Sequence, residues 1–448
     1  MYKRQDEARA KIHAQAAATA PGKWVQAKML DPSIMPGAPI DRTALDAIAP
    51  DVPVFVIESN GHVAYANSRA IAAAGLTRDT PNPPEARYIR RPDGELSGRL
   101  EETNAFEPFL KIMPTPSPQE LVKLLDADWA DASARGCTAL NDCGVGALFG
   151  TGDLALLDTA MAGDPPLRYS GFLVSTLFDT WQKMGLRPGP RGPRFRLAGI
   201  KAWADGSNQA MTGYQRAPYL GTALRGALNY TPAQMEAAIR EAHEAGWPVG
   251  IHANGQAAID VTLDAYRRAT GGAGGRRLRH RIEHCSVLDA GQIARMVDLD
   301  LSPSFLIGHV YYWGRAFRDR LLGPQRADLL DPCRSALAAG LRISLHSDYS
   351  VTPIDPLRCI ENAVVRNMHE GGGVLNPDER ITVTQAVRAM TLDAAWQCHM
   401  EDICGSLEVG KAADLVALEK NPFTVPPTDI ATIRVHSTWL DGTRRFSA

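Results

Sequence analysis

Four stretches decide the reading of this chain: Gly199-Ile200-Lys201-Ala202-Trp203, Gly250-Ile251-His252-Ala253-Asn254, Ile282-Glu283-His284-Cys285-Ser286 and Leu345-His346-Ser347-Asp348. Each is a short apolar run that ends in a polar residue able to do chemistry. Lys201, His252, His284 and Asp348 follow one another at 51, 32 and 64 residues. That is one, one and two units of a strand–helix repeat of about 30 residues with longer loops after some strands.

Working outward, residues 137–142, 167–174, 196–205, 248–254, 278–286, 299–305 and 342–348 read as strands. Residues 231–245, 255–269 and 288–296 read as helices between them, the first opened by Asn229-Tyr230-Thr231-Pro232. Strands alternating with helices imply a parallel sheet with right-handed crossovers. Seven units are one short of a (β/α)8 barrel. The competing open, doubly wound sheet needs a glycine-rich phosphate loop after an early strand. The glycine cluster at 271–275 precedes a strand instead.

Residues 1–118 are Pro-rich, with one strand candidate (52–58) and a helix (67–74) closed by Gly75, and read as an insertion or cap. Residues 119–400 hold the barrel. Residues 401–448 turn β-like and read as part of a small β-sandwich, since two or three strands need a partner sheet.

Composition narrows the functional classes. The 448 residues carry 48 Lys and Arg against 50 Asp and Glu, a net charge of −2. With no basic block, nucleic acid and membrane surfaces are poor partners. No apolar run approaches the ~20 residues of a membrane span, and the opening residues carry no apolar signal segment. Seven cysteines without a Cys-x-x-Cys pair suit a reduced, cytoplasmic setting.

In a (β/α)8 barrel, polar residues at the C-terminal strand ends converge on one mouth. Two imidazoles and a carboxylate suit zinc or a similar divalent ion. Lys201 joins them only as a carbamate, formed with carbon dioxide and able to bridge two metals. Asp348 is then placed to accept a proton from metal-bound water. Taken singly, each residue has a plainer reading: core histidines, an ion-paired lysine, a helix-capping aspartate. The ordered set in one register is what favours a metal site. His62, Asp205, Asn208, His309 and His346 are secondary candidates for contact with substrate or support of the site. Asp205-Gly206-Ser207 reads equally as a turn, and the aromatic cluster after His309 equally as packing.

The set Lys201, His252, His284 and Asp348 resembles strands four, five, six and eight of the amidohydrolase superfamily. Four stretches are similar to its amidohydrolase-3 branch, which includes formamide deformylase-like and N-acyl-amino-acid deacylase-like enzymes. They are Gly61-His62 with Asn67-Ser68, Lys201 through Ser207, His252-Ala253-Asn254-Gly255, and Arg281-Ile282-Glu283-His284. The tail from Gly405 to Val416 resembles the return of such chains into their small β-sandwich. The resemblance implies hydrolysis of a C–N bond other than a peptide bond in a small-molecule, amide-type substrate, with one or two zinc ions and a carbamylated Lys201. It also implies a first barrel strand ending in His-x-His. Of the eleven histidines here no two are two apart, and Met1-Tyr2-Lys3-Arg4-Gln5 matches translated sequencing adapter. The expectation is a fragment lacking that strand, inactive or weakly active, that binds one metal better than two. Gln256 stands where relatives carry Asp. A binding-only barrel and a lyase forming a Schiff base on Lys201 are the alternatives. A homo-oligomer is compatible with the sequence.

Overall fold

The computed structural model describes residues 4–20, 22–37, 40–84, 86–272, 275–369 and 371–448. It divides into two compact units.

The first unit comprises Met1–Thr115, Asp205–Asn229 and Tyr349–Thr352. Its sheet contains β1 (Val25–Leu30), β2 (Val54–Glu58), β3 (Val63–Ala66), β4 (Arg87–Arg90) and β5 (Leu96–Glu101), in the order β1-β2-β3-β5-β4. Only β1 and β2 run parallel. Alternation along β2 sorts the core: Val54 and Val56 pack with Ala8, Ile12 and Leu45 on one face, while Phe55 packs with Phe106 and Phe109 on the other. Helix Ser68–Ala73 is capped by Asn67, whose side chain accepts from the Ala70 amide, and Gly75 beyond it has φ 70°.

The sequence pattern places one strand in this region, and the structure places five. The missed strands are four to six residues long. The pair β4 and β5 carries charges that meet across the ladder, Arg87 to Glu101 at 2.8 Å, and along β5, Arg99 to Glu101 at 2.9 Å. Cross-strand charge of this kind stabilises a sheet but leaves no apolar alternation to read.

The second unit comprises Pro116–Ala204, Tyr230–Asp348 and Pro353–Ala448. It contains β6 (Ala139–Val145), β7 (Arg168–Val174), β8 (Gly189–Pro190), β9 (Phe195–Trp203), β10 (Val249–Ala253), β11 (Arg281–His284), β12 (Ser302–Phe305) and β13 (Ser344–Leu345). Every neighbouring pair along β6-β7-β9-β10-β11-β12-β13 is parallel, and β8 adds a short antiparallel rung on β9. These are the seven strands anticipated from the sequence, in a barrel-type succession. Among the described residues no strand bridges β6 and β13.

Local chemistry accounts for the connecting helices. Helix Pro232–Glu244 starts at a capping box in which Thr231 accepts from the Gln234 amide and the Gln234 side chain returns to Thr231. Helix Ala290–Leu299 starts the same way with Asp289 and Gln292. Gly199 in β9 is there for space: a Cβ would lie 2.3 Å from Phe172 Cε1 and 2.8 Å from the Pro248 carbonyl oxygen.

The C-terminal strands β14 (Leu415–Leu418), β15 (Val435–Leu440) and β16 (Thr443–Ser447) form an antiparallel three-stranded sheet. Its support within this unit includes helix Pro118–Ala134, where Thr438 Oγ1 donates to the Ser133 carbonyl at 2.7 Å. Arg168, at the start of β7, adds a buried clamp by donating to Asp414 through Nε at 2.6 Å and to Asp441.

Candidate metal centre

Lys201, His252, His284, His309, His346 and Asp348 all belong to the second unit. Register places the first three on neighbouring strands: Lys201 lies opposite Gly250, and His284 opposite Ala253. The rings of His252 and His284 stand edge to face with centroids 4.5 Å apart, and His346 adds a third ring 5.1 Å from His284.

The backbone at these strand ends is unusual. His284 has φ 69°, Cys285 φ 48° and Asp348 φ 51°. Left-handed backbone costs a non-glycine residue about 1–3 kcal/mol and clusters at functional sites. Three such residues among the strand ends therefore mark this place independently of side-chain chemistry.

Burial lowers the basicity of these groups. Burial, with the nearby His252, His346 and Lys201 as secondary contributors, pushes the His284 imidazole well below its usual pKa, leaving a lone pair available. Its Nδ1 is buried and has no hydrogen-bond partner. His346 Nε2 donates to the Ser304 carbonyl at 3.2 Å, and burial lowers its pKa although Asp348 and Glu283 pull upward. Lys201 is 3% exposed, and its amine lies 4.7 Å from the Trp203 ring centroid. Burial lowers the Lys201 pKa against the opposing pull of Cys143, Glu283 and Asp348.

Behind these groups lies an ion pair to which the sequence pattern assigns no role. Arg281 Nε donates to Glu283 Oε1 at 2.5 Å while its guanidinium covers the Phe172 ring at 4.2 Å. Both residues are buried, and the Cys143 thiol sits 3.3 Å from Arg281 Nη2. The signal was available: charges two apart on a buried strand share one face.

The secondary candidates separate. His309 lies beyond β12, fully buried, with Nδ1 3.1 Å from Ser286 Oγ and edge contacts to Trp313 and Phe317. His62, Asp205 and Asn208 belong to the first unit. There His62 Nδ1 meets Glu102 Oε2 at 2.8 Å, Asp205 accepts from the Tyr214 amide, and Asn208 accepts from Gln215. Cys285 is a buried thiol near the Ile282 carbonyl, and His280, its pKa lowered to about 3, accepts from the Val249 amide.

Whether these residues fit a metal can be judged from the donors. The two adjacent imidazoles, one of them with an orphaned buried nitrogen, fit a divalent ion. Among the described residues, however, no three His, Cys, Asp or Glu side chains converge to hold one.

A barrel-type parallel sheet with histidines and a lysine at its C-terminal strand ends places this chain among the α/β proteins of the barrel class. The chain belongs to the amidohydrolase family, whose model matches residues 3–446. It is 27% identical over 441 residues to an N-substituted formamide deformylase of Arthrobacter pascens, covering 95% of this chain and 79% of the relative. It is 28% identical over 409 residues to the amidohydrolase YtcJ of Bacillus subtilis, covering 89% and 75%. Protein LONG AFTER FAR-RED 3 of Arabidopsis thaliana is 28% identical over 434 residues, covering 95% and 74%. Among solved structures, an uncharacterized metal-dependent hydrolase from Pyrococcus furiosus superposes with TM-score 0.67 at 24% identity, covering 94% of this chain and 82% of the other. One from Pyrococcus horikoshii gives 0.69 at 22%, covering 95% and 82%. These two establish the shared fold. No helix among the described residues is long and apolar enough to cross a membrane.

Proposed function

We propose that this chain hydrolyses the C–N bond of a small amide that is not a peptide, with His252, His284 and carbamylated Lys201 holding one divalent metal, zinc by preference. The observation that carries the reading is the pair of imidazoles 4.5 Å apart, with the unpartnered His284 Nδ1 on left-handed backbone. When bound, such an ion supplies Lewis acidity and lowers the pKa of its water toward 7.

The chain's own residues do the rest. Burial lowers the basicity of Lys201, which favours the uncharged amine, the form that adds to carbon dioxide. Asp348, whose charge is felt at both Lys201 and His346, accepts a proton and passes it to the departing amine. The Arg281–Glu283 pair fixes the wall beneath Lys201 with a charge-assisted bond. The relatedness to an N-substituted formamide deformylase supports N-substituted formamides as the first substrates to try.

The test is elemental analysis of the purified chain and of its Lys201→Ala and His284→Ala variants, alongside formate release from a panel of N-alkyl formamides. One zinc per chain, lost in both variants together with formate release, is expected. Equal metal content and equal turnover in all three would refute the site. A borohydride-trapped substrate adduct on Lys201 would replace this reading with Schiff-base chemistry.

A further inference from the structure

The segment that leaves β6 carries two large apolar side chains that the proposed chemistry leaves unused. Leu148 is 73% exposed and Phe149 is 44% exposed, yet the main chain beneath them is fixed. Asp153 lies in the first turn of helix Thr151–Met161, and its carboxylate accepts three amides of the segment. Oδ2 takes those of Gly146 at 2.9 Å and Leu148 at 3.1 Å, and Oδ1 takes that of Phe149 at 3.1 Å. The Ala147 amide donates to the Gly144 carbonyl at 2.9 Å. Every amide from Gly146 to Phe149 thus has a partner, and Gly146 at φ 103° and Gly150 at φ 60° supply the left-handed backbone at either end.

Strand register sets this loop beside the candidate site. Val145 pairs with Leu173, Leu173 with Ile200, and Val174 with Lys201. Gly146 therefore leaves the sheet at the height of Lys201, two strand spacings or about 10 Å away. It also packs against that level directly, since a Cβ on Gly146 would lie 2.9 Å from Val174 Cγ2 and 2.8 Å from Trp181 Cζ2. Trp181 is held there by its Nε1, which donates to the Val174 carbonyl at 3.0 Å. Segments that follow the C-terminal strand ends of a barrel-type sheet frame its mouth.

We propose that Leu148 and Phe149 form an apolar wall that selects amides whose nitrogen carries an apolar substituent. The inference rests on the hydrolytic reading only for where the reacting amide lies. The occupant follows from the loop itself. A carboxylate that accepts main-chain amides holds the loop whatever side chains it bears, so folding does not call for Leu and Phe at these positions. A wall already fixed loses little freedom when a ligand meets it. No residue from Gly144 to Gly152 is charged, so the loop offers an ionic substituent no partner. Two side chains fall far short of the about 800 Å² per partner of a stable protein interface, but they match one small apolar arm. A formamide bears hydrogen on its acyl carbon, so its arm hangs from nitrogen.

The test is the affinity of the purified chain, with zinc present, for N-methyl-, N-butyl- and N-octylformamide. It is read by ligand-observed NMR in the parent, in Leu148→Ser and in the double variant with Phe149→Ser, and formate release is followed in the same spectra. Parent affinity is expected to rise about two- to fourfold per added methylene. The variants are expected to lose that gain, the double more than the single, so that their deficit grows with chain length. An affinity that does not rise with chain length in the parent, or that rises equally in the folded variants, overturns the proposal. Equal slopes with a smaller particle in the variants on gel filtration assign the loop to a contact between copies of this chain, and overturn it as well. Divergent slopes without formate release leave the wall standing and refute the hydrolytic reading. Formate release with equal slopes refutes the wall alone.

Discussion

Replacing Arg168 by Met tests what holds the C-terminal sheet to the second unit. The Arg168 side chain is 5% exposed and that of Asp414 is 1% exposed, so their contact lies out of water. Arg168 reaches Asp414 through Nε at 2.6 Å and Nη2 at 3.2 Å, and Nη2 also meets the half-exposed Asp441. Removing one partner of a buried pair costs about 3–5 kcal/mol, because the other charge stays buried and uncompensated. Asp414 keeps one donor, the Asp441 amide at 2.9 Å, worth about 1 kcal/mol. The expected loss is therefore near the lower end, about 3 kcal/mol, read from urea denaturation. The double variant Arg168→Met with Asp414→Leu removes both charges and is expected to regain most of that loss. A single-variant loss under about 1 kcal/mol, or a double variant no better than the single, would refute the reasoning. Acid gives the same interaction a second reading. Burial raises the Asp441 carboxyl, but hydrogen bonds from Arg168 and Arg194 outweigh it and hold the pKa below the ordinary value. A carboxyl depressed in the folded state contributes stability above its unfolded pKa of about 3.9 and loses it as pH falls through the folded value. The acid limb below about pH 4 should accordingly be shallower in Arg168→Met than in the parent.

Two further substitutions probe the scaffold. Gly199→Ala should destabilise by about 1–3 kcal/mol, as overpacking does, because the added Cβ meets the Phe172 ring and a main-chain carbonyl that cannot swing aside; an unchanged denaturation midpoint would contradict the close approach. Thr231→Ala removes the cap of helix Pro232–Glu244 and should cost about 1 kcal/mol, with Thr231→Ser restoring most of it in the same assay.

The seven parallel strands and three of the helices between them were legible because each is a local pattern. The run Val249–Ala253, buried along its whole length, is free of polar side chains apart from His252. Thr231 and Asp289 announce helices through side chains that satisfy the first free amides. The first unit's sheet was mostly hidden, since Arg87–Arg90 and Leu96–Glu101 are short and held by charge pairs that exist only once the strands lie side by side.

The candidate site divides along the same line. Lys201, His252, His284 and Asp348 could be chosen by position alone, because the barrel order sends strand ends to one mouth. That His284 and Asp348 sit on left-handed backbone, that Lys201 is stripped of water, and that Arg281 and Glu283 pair beneath it could not. Nor could the contact of His309 with Ser286, which joins two separate segments. Sequence determines what is periodic or adjacent along the chain. Strain, burial and the direction of a hydrogen bond between distant segments arise only when tertiary packing removes water and leaves each polar atom to the partners within its reach.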